Sequence, residues 1–386
     1  MKKGVIAVVF VIFALVVVVL AVGVLSCFDW WKKHLQTSPI VFWVIAAVLV
    51  ANMFYTVFGI RKVTIIPLKE VMIFLSAVTF IVLIYTSCVM VVKYLLGLLL
   101  GAFLKPTNPL LRFVKETGIT LPVLLLITTA VGFIGYINSG IIRVKDYEIN
   151  VEKPSQNKTI TAAVISDTHI GISAHKSTID TIVEKVNDIN PDVVFLLGDI
   201  FDENTTTDEM EYFAEKFRNV KSRFGAYYIY GNHDEGAYGE SRDVAKYIEQ
   251  AGVKVLADQA VVIGGDITVV GMRSEYDGEG DSPDRVMKYQ KVNMQKPVIV
   301  LKHEPLGIQK IADTGADVSM HGHTHGEQFP LTYLPFSFMN DMMYGIKEFD
   351  GLTAFTTQGT GGWGFHFKFP AKSEVAKVTI NFGVKD

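Results

Sequence analysis

Four long apolar runs in the first 140 residues limit what this chain can fold into more than any other feature. They cover about residues 4–25, 40–60, 71–104 and 121–137 of the 386. A helix of roughly 20 apolar residues crosses about 30 Å of hydrocarbon, and each run is close to that length or longer. The sequence therefore predicts an all-α membrane region over residues 1–140, with about four transmembrane helices.

Two of these runs have more than one interpretation. The first follows two lysines, and Val24–Cys27 resembles a lipoprotein cleavage box, so a cleaved signal peptide is the alternative. Signal peptides usually have a shorter apolar stretch of roughly 7 to 15 residues, and three spans would remain after cleavage. The run 71–104 is too long for a straight span, and we expect it to tilt, kink near Gly97 or Gly101, or extend past the headgroups.

The side of the membrane is predicted from lysines and arginines near the span ends, which are enriched on the cytoplasmic side. With four spans, the N-terminus, the middle loop and the C-terminal region share one side. That side carries Lys2, Lys3, Arg61, Lys62, Lys69, Arg143 and Lys145, and the other carries Lys32, Lys33, Lys105, Arg112 and Lys115. Seven basic residues on the first side against five on the other favour a cytoplasmic C-terminal region. A miscounted span would reverse this prediction.

Charge and cysteine content exclude some classes of function. The formal net charge is −3 and no basic stripe is present, which argues against a nucleic-acid partner. The two cysteines, Cys27 and Cys88, lie within or beside the apolar runs, so the C-terminal region needs no disulfide. Lys93 is nearly the only charge within a span, which disfavours a transporter.

Five short segments of the C-terminal region bring together side chains that bind metal ions. They are Asp167-Thr-His169, Gly198-Asp199-Ile-Phe-Asp202, Gly231-Asn232-His233-Asp234, His303 and Gly322-His323-Thr-His325. Each follows a short apolar run typical of a β-strand, and open α/β sheets place their sites beyond the carboxyl ends of strands. Two divalent cations about 3.5 to 4 Å apart can neutralise and polarise a phosphate ester and its nucleophile. The pattern therefore indicates a two-metal phosphoesterase.

Taken singly, each of these segments is also ordinary turn chemistry, since Gly-Asp and Gly-Asn are common in turns. As a set in this order, they resemble the calcineurin-like metallophosphoesterase superfamily from about Thr159 to the C-terminus. The resemblance implies that Asp167, His169 and His325 hold one metal, that Asn232, His303 and His323 hold the other, and that Asp199 bridges them. It further implies that His233 is the acid at the leaving group, that Asp202 orients His233, and that a hydroxide shared by the metals attacks phosphorus in line.

A narrower resemblance links the chain to a bacterial branch of membrane- or envelope-associated members. It rests on the sequence GHTHGEQFP at residues 322–330, the glycine-rich residues 359–364, and Lys368, Lys372 and Glu374. The branch usually has two arginines where this chain has the lysines. A lysine still attracts phosphate but lacks the two-pronged fit of a guanidinium, so we treat Lys368 and Lys372 as candidate substrate-binding residues. The resemblance places the protein in a bacterial cell membrane.

The fold predicted for residues 159–386 is α/β, with two sheets face to face and helices outside in a four-layer α/β/β/α sandwich. Helices are expected at 176–189, 207–219 and 242–251, and shorter strands at 260–263 and 267–270 begin a second sheet. Residues 141–158 are polar and are either a linker or an incoming strand. About 230 residues suffice to bury such a core as one domain.

The predicted cofactors are two divalent metal ions, with manganese as the first choice and iron or zinc as alternatives, because nitrogen and oxygen ligands without thiolate suit all three. The predicted substrate is a phosphodiester, pyrophosphate or phosphomonoester, and the anchor favours a lipid-linked or membrane-proximal one. The alternative is a membrane sensor or scaffold with a non-catalytic phosphoesterase-like domain. The sequence gives no indication of the oligomeric state.

Overall fold

The computed structural model describes residues 2–35, 37–63, 65–171, 174–234, 243–274, 280–329 and 336–384, with side chains in the first range described from residue 17. The chain folds into two compact units. One comprises Met1–Phe58 and Ile65–Tyr136. The other comprises Gly59–Thr64 and Ile137–Asp386, and we call it the catalytic unit because it contains the five segments that predict a phosphoesterase site.

The N-terminal region is helical, as the apolar runs predict. Its helices are α1 (Lys2–His34), α2 (Pro39–Gly59), α3 (Ile66–Phe103), α4 (Pro109–Lys115) and α5 (Thr120–Gly140), with a 3₁₀ turn at Ile60–Lys62. Within the described residues, α2, α3 and α5 are long and apolar enough to cross a membrane. The helix α3 is a single element of 38 residues, about 57 Å at 1.5 Å per residue. A fourth span, formed by α1, stays a prediction.

The catalytic unit contains two six-stranded sheets. The first has the strand order β1 (Arg143–Val151), β12 (Glu374–Phe382), β2 (Thr159–Ile165), β3 (Val193–Leu196), β4 (Ala226–Tyr228) and β5 (Lys254–Val255). The second has the order β10 (Gly345–Phe349), β11 (Leu352–Thr356), β9 (Val318–His321), β8 (Val298–Leu301), β7 (Ile267–Gly271) and β6 (Gln259–Ile263). The predicted strands at 260–263 and 267–270 therefore do belong to a second sheet.

Five helices are described in the catalytic unit, of which the first three lie close to the predicted positions 176–189, 207–219 and 242–251 and the last two were not predicted. They are α6 (Lys176–Ile189), α7 (Thr207–Phe217), α8 (Val244–Gln250), α9 (Pro283–Tyr289) and α10 (Ile308–Ala312). The Thr206 hydroxyl accepts from the Glu209 amide, and the Glu209 carboxylate accepts from the Thr206 amide, which fixes the start of α7.

Three hydrophobic cores hold the unit together. One lies between the sheets, where Ile160 and Phe195 of the first meet Ile299 and Phe355 of the second. A second packs α6, α7 and α8 on the first sheet, and a third packs α9 and α10 on the other sheet. Strands buried on both faces read as continuous apolar runs, which explains why β3 and β8 are VVFL and VIVL.

Strand direction brings the five candidate segments to one edge. The strands β2, β3 and β4 are parallel to one another, as are β7, β8 and β9. The turns that follow β2, β3, β4, β8 and β9 carry the candidate ligands, and we call this side of the unit the ligand edge.

Residues 141–158 contain a strand. The nine residues of β1 pair in parallel with β12, from Arg143 opposite Glu374 to Val151 opposite Phe382. Of the two interpretations that the sequence leaves open for this segment, the structure forms the incoming strand over Arg143–Val151. Only two residues separate it from the end of α5 at Gly140.

Candidate metal centre

Two groups of three side chains at the ligand edge are close enough to hold a metal ion each. Asp167, His169 and His325 form one group, and Asp199, His303 and His323 form the other. Within each group the potential ligand atoms lie within 4.8 Å of one another. The sequence places these six residues in four separate segments, and the fold brings them together.

Asp199 connects the two groups. Its Oδ2 lies 3.1 Å from His303 Nε2 in its own group and 3.8 Å from His169 Nε2 in the other. The Oδ1 of Asn232 lies 2.8 Å from His323 Nδ1, so this amide borders the second group. The family resemblance implies the same neighbours, and the individual ligand roles, including the bridging role of Asp199, stay predictions.

Buried polar atoms without a hydrogen-bond partner concentrate in this cluster. Among the described residues they include both ring nitrogens of His169 and His325 Nδ1, while Asp199 Oδ2 and His303 Nε2 face each other at 3.1 Å. Buried polar groups are nearly always paired, so several orphans in one place require an explanation. Imidazole nitrogens and carboxylate oxygens turned toward a common point are a donor set that fits divalent metals.

The electrostatics of the cluster suit metal binding. Burial lowers the pKa of His169 to about 3 and the pKa of His323 to about 4, so both rings are neutral at pH 7, the form that ligates metal. Burial alone would raise the pKa of Asp199, but His303 beside it holds that pKa well below its usual value. Asp199 therefore stays ionised within the buried site.

The backbone at the site is strained. Asp167, His169, Asp199, His323 and His325 all have left-handed backbone conformations, with φ between 46° and 70°. Such conformations are uncommon for residues other than glycine and cluster at functional sites. A Cβ on Gly231 would lie 2.2 Å from Asp199 Oδ1, so this glycine lets the third segment approach the bridging carboxylate.

Asp234, to which the sequence analysis gave no role, holds the ligand turns together. Its carboxylate is buried and accepts from the amides of Asp199 at 2.5 Å, Gly231 at 3.0 Å and Phe201 at 3.2 Å. Burial and the Asp199 charge raise the pKa of Asp234 to about 7. The sequence feature that could have identified Asp234 is its position directly after Asn232 and His233.

Glu203 takes the place that the sequence analysis gave to Asp202. The Nδ1 of His233 lies 2.7 Å from Glu203 Oε1, while Asp202 Oδ1 accepts from the Asn204 amide at 2.7 Å. An aspartate readily bonds the backbone two residues on, which turns its short side chain into the loop. The longer Glu203 reaches the ring, and we correct the assignment of the orienting carboxylate to Glu203. Burial alone would lower the pKa of His233, but the bond to Glu203 and the Asp199 charge together raise that pKa.

The two candidate substrate lysines have different environments. Lys368 is fully buried, and its ammonium donates to the main-chain carbonyls of Gln358 at 2.5 Å and Gly359 at 2.7 Å. Burial lowers its pKa to about 7. A group enclosed in this way supports the glycine-rich turn and is not accessible to substrate, so the prediction for Lys368 is wrong in this structure. Lys372 is exposed, and its role stays a prediction.

The glycine-rich turn places an aromatic ring beside His233. The amides of Thr360 and Gly361 donate to the carbonyls of Ser166 and Asp167, both at 2.8 Å, which fixes the turn against the first ligand segment. Trp363 follows, with its ring centroid 6.0 Å from that of His233. The glycine-rich sequence predicts this turn, but the sequence alone predicts no role for Trp363.

Comparison with known proteins agrees with this geometry. Residues 160–327 match the family model described as calcineurin-like phosphoesterase. The part of the chain that contains the candidate ligands therefore matches the calcineurin-like phosphoesterase family model, which confirms the predicted resemblance.

The relatives are mostly uncharacterized. An uncharacterized metallophosphoesterase of Helicobacter pylori is 28% identical over 246 residues, which cover 62% of this chain and 65% of the relative. A transmembrane protein with metallophosphoesterase domain from Danio rerio is 28% identical over a region that covers 66% of this chain and 61% of the relative. An uncharacterized metallophosphoesterase of Campylobacter jejuni is 26% identical, covering 75% of each. The chain spans less than two thirds of the length of the first two.

Proposed function

We propose that this protein is a membrane-anchored, two-metal phosphoesterase that hydrolyses a phosphodiester, pyrophosphate or phosphomonoester. The observation that carries the proposal is the convergence of buried imidazole and carboxylate ligand atoms from both sheets around Asp199. The three separate cores also support the four-layer α/β/β/α arrangement proposed for the unit.

Each protein group has a distinct task in the proposed reaction. Asp167, His169 and His325 would hold one metal ion, and Asn232, His303 and His323 the other, with Asp199 between them. The bound metals would neutralise the phosphate and supply a nucleophile at neutral pH. His233, oriented by Glu203, would donate a proton to the departing oxygen. Trp363 would border the leaving group.

The donor set favours manganese, iron or zinc, with manganese as the first choice. The six carboxylate and imidazole ligands contain no thiolate, and both cysteines lie in the other unit. Nitrogen and oxygen donors bind all three metals, so the availability of each metal in the cell decides which one occupies the site.

The membrane half of the proposal rests on α2, α3 and α5, with α1 as the fourth span. By the lysine and arginine distribution, the catalytic unit faces the cytoplasm of a bacterial cell. A non-catalytic sensor or scaffold is the competing function, and no observation favours it, because every ligand position that the family resemblance implies is occupied by a suitable residue.

The test compares Asp199→Ala with Asp188→Ala in the purified full-length protein. Asp188 is exposed on α6 and serves as the matched control. We expect the native protein and the control to bind about two metal equivalents and to hydrolyse a nitrophenyl phosphodiester. The turnover rate of Asp199→Ala should be at least ~100-fold lower than that of the native protein. Unchanged turnover in Asp199→Ala would refute the site, and metal content well under two equivalents in the native protein would favour the scaffold.

A further inference from the structure

The chain enters the catalytic unit at the ligand edge. The register that pairs Val164 with Ala376 places Ser166 level with Glu374, and Glu374 pairs with Arg143, the first residue of β1. Arg143 therefore lies two strand spacings, about 10 Å, from the residue that precedes the ligand Asp167. The candidate span α5 ends at Gly140, and only two residues separate it from Arg143.

The end of α5 also contacts the segment that follows the glycine-rich turn. The last turn of α5, from Ile137, belongs to the catalytic unit. The Ser373 hydroxyl donates to the Ser139 carbonyl at 2.8 Å, and the Arg143 amide donates to the Ser373 carbonyl at 3.0 Å. A Cβ on Gly140 would lie 3.4 Å from His366 Nε2. The end of a candidate membrane span thus touches residues three to ten positions after Trp363.

Exposed apolar side chains of the catalytic unit concentrate on the same edge. Gly345, at the start of β10, pairs with Thr356, and Thr356 pairs with His321, so the end of the segment 336–344 lies at the ligand edge. The rest of the segment is held there by short contacts, since the Thr324 hydroxyl donates to the Met343 carbonyl and the Asp341 amide donates to the Pro305 carbonyl. In that segment Phe338 is 82% exposed and Met339 is 61% exposed. The exposed large apolar residues at this edge are Ile137, Ile141, Val144, Phe336, Phe338, Met339, Tyr344, Ile346 and Trp363, and the others described in the unit are Val262, Tyr289 and Val384.

Basic residues accompany the apolar ones. Lys145, on β1, and Lys372 are exposed, and Arg143 is partly exposed beside the end of α5. Lys145 lies over the ring of Tyr344 at 5.7 Å, which joins this basic group to the apolar segment. Apolar side chains with basic neighbours are the composition that binds the surface of an anionic bilayer.

We propose that the ligand edge faces the bilayer and that the substrate is a membrane lipid bearing a phosphate ester. This inference rests on the function proposed above and narrows its substrate class. Phe338 and Met339 enter the headgroup region beside the site, Trp363 contacts the lipid next to the scissile bond, and the apolar part of the substrate stays in the bilayer. The two residues between Gly140 and Arg143 are too short to hold this edge far from the membrane.

The proposed reaction is a hydrolysis with water as the co-reactant. The oxygen of water forms a new bond to phosphorus, and the bond from phosphorus to the leaving oxygen breaks. His233 gives its proton to that oxygen, and the proton lost by water restores the balance. One product keeps the lipid chain and remains in the bilayer, and the other leaves into water.

The first part of the test measures whether the ligand edge lies at the bilayer, without measuring phosphoesterase activity. Spin labels are attached to Phe338→Cys and, as the control at the far end of the sheets, Val262→Cys, in full-length protein whose two native cysteines are replaced by serine. In nanodiscs of phosphatidylcholine and phosphatidylglycerol, we expect the label at 338 to be accessible to oxygen and the label at 262 to a water-soluble nickel complex. Equal nickel accessibility at both positions would overturn the orientation.

The second arm compares two substrates with the same leaving group. The probes are 4-nitrophenyl hexadecyl phosphate within the nanodisc and 4-nitrophenyl methyl phosphate in water. For the double variant Phe338→Ser with Met339→Ser, we expect the ratio of the hexadecyl rate to the methyl rate to fall at least ~10-fold, because burial of two large side chains is lost. The control, Val262→Ser with Tyr289→Ser, keeps the native ratio.

The outcomes separate this inference from the proposed function. An unchanged ratio in the Phe338 and Met339 variant would overturn the lipid substrate even if the enzyme is active on both probes. Absence of hydrolysis of either probe by metal-loaded native protein would refute the phosphodiesterase activity and with it the lipid substrate, while the spin labels would still decide the orientation of the edge.

Discussion

Glu203 gives the sharpest test at the scale of single residues. Because its carboxylate holds the Nδ1 of His233, Glu203→Gln should leave the ring poorly oriented and lower kcat by ~10- to 100-fold with little change in KM. Steady-state kinetics on a soluble phosphodiester measures this. Asp202→Asn is the matched comparison, since its Oδ1 accepts from the Asn204 amide. A larger kcat loss in Asp202→Asn than in Glu203→Gln would restore Asp202 as the orienting residue.

The sequence predicts the ligand residues of this site better than their supporting residues. Asp167, Asp199 and His303 are recognisable because each follows an apolar run that can only be a buried strand. Left-handed conformations at Asp167 and Asp199 leave only a weak signal, since aspartate adopts this conformation only occasionally. The choice between Asp202 and Glu203 depends on which side chain the turn engages, and that is decided by three-dimensional contacts.

At the scale of elements, the glycine-rich turn depends on a close approach to the first ligand segment. A Cβ on Gly361 would lie 2.1 Å from the Thr168 carbonyl oxygen, so Gly361→Ala must displace backbone. We expect a loss of about 2–3 kcal/mol in the free energy of unfolding, together with lower metal content.

Gly280→Ala is the control for this prediction. Its Cβ would lie 3.4 Å from the nearest described atom, and its backbone is not left-handed. Denaturant unfolding of the two variants in parallel measures the difference. Equal stability of Gly361→Ala and the native protein would show that the turn can move away from Thr168 without cost.

The strand β1 makes the boundary of the catalytic unit testable. A fragment that starts at Thr159 lacks β1, including Ile149 and Val151 of the core between the sheets, and exposes the edge of β12. We expect it to lose at least ~4 kcal/mol and to aggregate, since each deleted core side chain costs ~2 kcal/mol or more. A fragment that starts at Ile137 keeps β1 and should unfold cooperatively. Thermal unfolding of both fragments measures this difference in stability. Equal midpoint temperatures would show that β1 is dispensable for the stability of the unit.

The residues before Thr159 show a limit of prediction at this scale. Residues 143–151 are RVKDYEINV, in which polar side chains alternate with apolar ones only partly, as expected for an edge strand with one half exposed. Pro154 and Ser155 after it are equally typical of a linker. The partner strand β12 lies more than 200 residues later, and no local pattern indicates such a pairing.

At the scale of the whole molecule, the number of spans fixes the side on which the catalytic unit works. If α3 and α5 each cross the membrane, the loop before α3 and the catalytic unit share one side, and the loop between α3 and α4 is on the other. Single cysteines at the exposed positions Lys62, Thr107 and Asp188, in protein without Cys27 and Cys88, report each location. In intact bacterial cells we expect a membrane-impermeant thiol reagent to modify Thr107→Cys alone, and the other two only after permeabilisation. Because α5 is the only long apolar helix described between Thr107 and Asp188, modification of both from outside would show that α5 does not cross, and the opposite pattern would place the catalytic unit outside the cell.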